Sequence, residues 1–67
     1  MTTLSPLCNE IILFVDDGKT TISSIVENSD RPYLLIKETI DERLIGDYLT
    51  YSDNGELKLT AMGKRHT

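Results

Sequence analysis

The residues able to do covalent or metal chemistry in this 67-residue chain are few and far apart. Its one thiol, Cys8, and its one imidazole, His66, stand near opposite ends. A Cys/His nucleophilic pair needs the thiol and its base within hydrogen-bond reach, so the fold would have to join a core position to a terminal tail. Cys8 reads instead as a small buried apolar group. With no second cysteine there is no internal disulfide, which is the usage of a reducing compartment. The pairs Asp16-Asp17 and Asp41-Glu42 offer carboxylates, but they are adjacent, have no histidine nearby and lack the glycine-punctuated spacing of a calcium loop. They read as solvated helix ends. Gly18-Lys19-Thr20 has the closing residues of a phosphate-binding loop without its upstream glycine half. The sequence therefore predicts a non-enzyme with no cofactor and no metal.

What remains is binding, and net charge bears on its sign. Eleven acidic residues against seven lysines and arginines leave the chain at -4, the wrong sign for wholesale phosphate binding. Any nucleic-acid role must rest on a local patch. A chain this short forms one domain, residues 1–67, and at 39% hydrophobic and 27% charged residues it has the composition of a folding chain. No apolar run approaches the roughly 18 residues that cross a bilayer, and the N-terminus lacks a signal-peptide pattern, so the expectation is a cytoplasmic protein with no membrane partner.

The elements that would position a binding surface follow from caps and periodicity. Ser5-Pro6 is a helix start, with a hydroxyl to cap orphan amides and a proline where its missing N–H costs nothing. A first helix is predicted over 6–17, with Leu4, Leu7, Cys8, Ile11, Phe14 and Val15 inward, Leu13 outward and Gly18 as the stop. The run Ile11 to Val15 also fits a buried strand, and the caps favour helix. Thr20 or Thr21 caps a second helix over 21–27, with Ile22, Ile25 and Val26 inward. After the polar turn Asn28-Ser29-Asp30, a third helix over 31–42 is capped by Asp30, with Pro32 in its first turn. Tyr33, Ile36 and Ile40 line its inner side, while Leu34, Lys37, Glu38 and Asp41 face out. Two helices joined by three polar residues suggest a helix-turn-helix.

Beyond it the period becomes two, predicting an antiparallel hairpin over 45–60. Register depends on the turn. A two-residue Asn54-Gly55 loop would set Leu57 against Ser52 and mix polar with apolar residues on each face. A three-residue loop, Asp53-Asn54-Gly55 with the glycine left-handed, sets Leu57 against Tyr51 and Leu59 against Leu49, and gathers these four on one buried face. The second register is the predicted one. Thr60 then caps a short turn containing Met62 and ending at Gly63, before a basic tail over 64–67.

This order, a small α+β fold of three helices and a C-terminal antiparallel β-hairpin, resembles the winged helix-turn-helix. Arg43-Leu44-Ile45-Gly46 resembles the Gly-Leu-Ile that leads into the wing of bacterial regulators of the MarR and PadR type, with Arg43 in place of the glycine. Leu57-Lys58-Leu59-Thr60-Ala61-Met62-Gly63 is similar to their closing Tyr-x-Leu-Thr-x-x-Gly. The resemblance implies a transcriptional regulator whose third helix enters the major groove of double-stranded DNA, with Arg31, Tyr33, Leu34, Lys37, Glu38 and Asp41 facing or flanking the duplex. A homodimer is implied too, because one short domain makes few phosphate contacts. Lys58, Lys64 and Arg65 read either as phosphate clamps or as a solvated strand face and tail. The chain departs from a DNA reader at the wing tip, where Ser52-Asp53-Asn54-Gly55-Glu56 is acidic, and aromatics at 6% with no tryptophan argue against a single-strand stacking platform. The other reading is a protein-interaction module, an adaptor or inhibitor, that docks through Leu13, Leu34 and Leu35.

Overall fold

The computed structural model describes residues 4–66. Helix α1 spans Pro6–Asp16, α2 Ile22–Ser29 and α3 Tyr33–Thr39, and α3 runs on into a wider π turn over Ile40–Leu44. Strands β1 (Leu49–Tyr51) and β2 (Leu57–Leu59) form an antiparallel hairpin, and a fourth helix, α4, spans Ala61–His66. The α+β class and the order of helices before hairpin agree with the expectation.

The first two helices start where their caps say. The Ser5 hydroxyl oxygen accepts from the Cys8 amide at 3.2 Å, and Pro6 opens α1. Thr21 rather than Thr20 caps α2, its hydroxyl oxygen accepting from the Ser24 amide at 3.2 Å. Thr20 has other work: its carbonyl accepts from the Leu57 amide at 2.7 Å, and its hydroxyl donates to Glu56 at 2.6 Å, so the segment before α2 covers the outer edge of β2.

The third helix departs from expectation at its start. Asp30 does not cap it; Asp30 ends α2 in the left-handed conformation, φ 63°, and Pro32 is the residue before the first turn of α3. The helix therefore begins at Tyr33, two residues later than predicted. Aspartate tolerates the left-handed region better than most side chains, so the same residue that suits an N-cap also suits a helix stop. At the other end the Ile45 amide reaches back to the Ile40 carbonyl at 2.8 Å, one residue further than an α-helical bond.

The hairpin has the predicted register: Leu49 faces Leu59, Thr50 faces Lys58 and Tyr51 faces Leu57. The Ser52 amide donates to the Glu56 carbonyl at 2.7 Å, the Gly55 amide to the Ser52 carbonyl at 2.9 Å, and Gly55 sits at φ 83°. Asp53-Asn54-Gly55 is thus the three-residue loop with a left-handed glycine that the pairing requires. The paired segment is narrower than 45–60, and of its four inward residues Tyr51 remains 40% exposed.

In place of the expected basic tail, residues 64–66 belong to α4, and Thr67 lies outside the described residues. Gly63 is not a stop. A side chain there would run into the Tyr48 carbonyl oxygen, with Leu59 Cδ2 only 3.2 Å from the added carbon. Thr60 makes this approach possible, because its hydroxyl oxygen accepts from the Gly63 amide at 3.1 Å while the hydroxyl itself donates to the Asp47 carbonyl. The Thr-x-x-Gly pattern thus has a packing reason: the threonine caps α4 and the glycine lets it lie against the backbone before β1. Gly63→Ala should destabilise the domain by about 1 to 3 kcal/mol through this overlap, read as a lowered thermal midpoint; an unchanged midpoint would mean that α4 docks elsewhere.

The core gathers Cys8, Ile11, Ile12 and Val15 of α1, Ile25 of α2, Ile36 and Ile40 of the third helical segment, Leu44, and Leu49 and Leu57 of the hairpin. Ile12, fully buried, was not among the expected inward residues, and Tyr33 is 49% exposed rather than inward. The one buried polar residue among the described residues, Thr39, is satisfied by donating to the Leu35 carbonyl at 2.7 Å. Among the described residues no helix is long and apolar enough to cross a membrane.

Candidate interaction surface on the third helix

The start of α3 presents three consecutive exposed apolar residues. Leu34 is 66% exposed, Tyr33 49% and Leu35 42%, because only Ile36 and Thr39 of this helix turn into the core. Exposed leucines are ordinary singly, but three consecutive residues of large apolar type leave the first turn of α3 an apolar surface around much of its girth.

The cations expected to read phosphates are beside this patch, and both are held by carboxylates of the same chain. Lys37 Nζ lies 2.7 Å from Asp41 Oδ2, one helical turn on. Arg31 Nη2 lies 3.7 Å from Glu10 Oε2 of α1. Asp41 accepts a second bond on its other oxygen from the Tyr51 hydroxyl, at 2.9 Å, which ties β1 to the π turn. Lys37, Asp41 and Tyr51 therefore form one bonded cluster beside the start of α3.

Charge and burial act on this cluster in definite directions. The Lys37 ammonium, and then the Tyr51 hydroxyl, hold the Asp41 carboxyl below its ordinary value. Asp41 in turn raises Lys37. Partial burial, followed by the Asp41 carboxylate, raises the Tyr51 phenol. A lowered acid stabilises the fold above its ordinary pKa and loses that contribution as pH falls through the lowered value; a raised lysine or tyrosine contributes below its ordinary value and loses it as pH rises through the raised one. The β1-to-helix link should consequently hold across the neutral range and weaken below about pH 4 and above about pH 10. An NMR titration of the Tyr51 ring should show both transitions, and Asp41→Asn should abolish the acidic one.

The remaining expected cations lie elsewhere. Lys58 and Lys64 border a shallow groove of about 320 Å³ with Asp16, Thr20 and Leu59, and no α3 residue lines it. Lys58 also borders a hollow at the hairpin tip with Tyr51, Asp53 and Asn54. Arg65 is exposed on α4, whose neighbour His66 packs edge-on against Tyr48 at 5.3 Å and bonds Asn9 of α1 at 2.6 Å. The residues named from sequence for phosphate contact are therefore divided among the start of α3, the groove bordered by Lys58 and Lys64, and the exposed side of α4 that carries Arg65. Leu13, 57% exposed, stands one turn along α1 from Glu10.

The Lys37–Asp41 pair was missed in the sequence, where its i, i+4 spacing could have revealed it. The Tyr51 and Glu10 partners carry no such signal, since both depend on tertiary approach. Among the described residues no group of three or more histidine, cysteine or acidic side chains is placed to hold a metal ion. No family model, no curated protein and no solved structure matches this chain.

Proposed function

We propose that this chain is a winged helix-turn-helix domain that acts as a docking module for another protein, through the start of α3 and the neighbouring hairpin. The observation that carries this reading is the neutralisation of Arg31 and Lys37 by Glu10 and Asp41 beside the exposed Tyr33, Leu34 and Leu35. A duplex approaching this face would have to compete with two intramolecular carboxylates, and would meet Asp53 and Glu56 at the wing tip. A protein partner instead gains from burying the apolar patch and from leaving the ion pairs at its rim, where charges adjust register more than affinity. Glu38 and Glu42, exposed on and just after α3, suit a partner with an apolar centre and a basic margin.

The second reading is a DNA-binding regulator, supported by the short turn between α2 and α3 and by the hairpin that follows the third helix. The two readings separate in one experiment. Isotope-labelled protein titrated with random-sequence duplex at low and moderate salt should show no shifts at moderate salt. Saturable shifts at Arg31, Leu34, Lys37 and Lys58 that persist there would instead support duplex binding, with the helix in the groove and the wing on the backbone.

A further inference from the structure

We propose that Asn54 is a site of spontaneous deamidation, at which the hairpin tip converts from asparagine to aspartate and isoaspartate without an enzyme. The reaction needs an asparagine whose Cγ can be reached by the backbone nitrogen of the next residue. A side chain on that next residue hinders the approach, and a regular helix holds the nitrogen away. The chain has three asparagines, and they differ in just these respects. Asn9 lies inside α1 before Glu10. Asn28 lies inside α2 before Ser29. Asn54 is exposed in the hairpin loop and precedes Gly55, around whose missing Cβ nothing lies within 4 Å.

The loop adds a second feature. Asn54 Oδ1 accepts from the Ser52 hydroxyl and from the Glu56 amide, the latter at 3.2 Å. Two donors on this oxygen polarise Cγ and face the atom on which negative charge develops during attack, as in an oxyanion hole. The Gly55 N–H is bonded to the Ser52 carbonyl at 2.9 Å, so attack requires that bond to open and a base from solvent to take the proton. The nitrogen then forms a bond to Cγ, the Cγ–Nδ2 bond breaks, and ammonia leaves with the proton that Gly55 lost. Water adds to either carbonyl of the resulting succinimide, its hydroxyl going to carbon and its proton to nitrogen. One water is consumed, one ammonia is released, and nothing is oxidised or reduced.

Either product places a third carboxylate between Asp53 and Glu56. Isoaspartate also inserts a backbone methylene into a loop whose length sets the Tyr51–Leu57 register. The test is to age the purified full-length chain at neutral and mildly alkaline pH and to follow it by intact mass and by peptide mapping that separates isoaspartate. Conversion is expected at Asn54 alone, faster at the higher pH, and lost in Asn54→Gln. Ser52→Ala, checked for an unchanged circular dichroism spectrum, should convert more slowly. Equal conversion at Asn9 and Asn28, or none at Asn54, would overturn the proposal, and an undiminished rate in Ser52→Ala would overturn the part assigned to the serine.

Discussion

Ile40→Ala should lower the stability of the domain by about 2 to 4 kcal/mol. Ile40 is fully buried where α3 passes into the π turn, and its backbone carbonyl accepts the bond that closes that turn. Removing its outer carbons leaves a cavity bordered by elements from both ends of the chain, which cannot collapse without moving the hairpin. A domain of this size has roughly 3 to 10 kcal/mol of total stability, so the loss is a large share of the whole. The thermal midpoint should fall by about 10 to 30 °C. Leu34→Ala, at a position 66% exposed, should shift it by only a small fraction of that. The reverse order in a melt would mean that the third helix is rotated about its axis from the arrangement described here.

Those two positions also show which parts of the fold could be read from sequence. Ile36 and Ile40 inward with Leu34 outward follow from helical period, and the hairpin register follows from one glycine that must be left-handed. In both cases a local rule and the tertiary packing point the same way. The reading failed where one residue type serves two geometries. Asp30 can begin a helix or end one, and only the path of the chain decides. Gly63 can stop a helix or let it approach another backbone closely, and the Tyr48 carbonyl that decides this is fifteen positions away. Tyr33 sits on the helical stripe of Ile36 and Ile40, yet it is too near the start of α3 to be covered by α1 or α2.

The candidate surface was legible to a similar depth. Leu34 and Leu35 were named from the sequence as a possible contact surface; the Lys37–Asp41 pair was not, although its i, i+4 spacing is a signal that could have found it. What the period of one helix cannot reveal is that Arg31 meets Glu10 of another helix, or that Tyr51 of the hairpin bonds Asp41. These two partners change the chemistry of the face. Read residue by residue, the start of α3 offers two cations to a phosphate backbone; assembled, it offers an apolar patch whose cations are already engaged. Ion pairs this exposed are individually weak, so they do not stabilise the fold greatly. Their effect is to lower what a duplex would gain.

Leu34→Asp is therefore the substitution with the largest expected effect on binding. Leu34 lies in the first turn of α3, where a carboxylate is favoured by the helix dipole, so the variant should fold as well as the parent. Any loss of binding can then be assigned to the surface. In a docking module, a charge placed among Tyr33, Leu34 and Leu35 should cost at least about 2 kcal/mol, or roughly thirtyfold in affinity, for whatever protein the immobilised chain captures from a cell extract. Arg31→Ala combined with Lys37→Ala should cost that same partner less than about 1 kcal/mol, since rim charges adjust association more than the bound state. A DNA reader would reverse the order: the double alanine variant would lose most duplex binding and its salt dependence would become shallower by about two units. Measuring both variants against both ligands thus ranks the readings without knowing the partner beforehand. The docking reading fails if Leu34→Asp binds the captured protein as tightly as the parent while the double alanine variant does not.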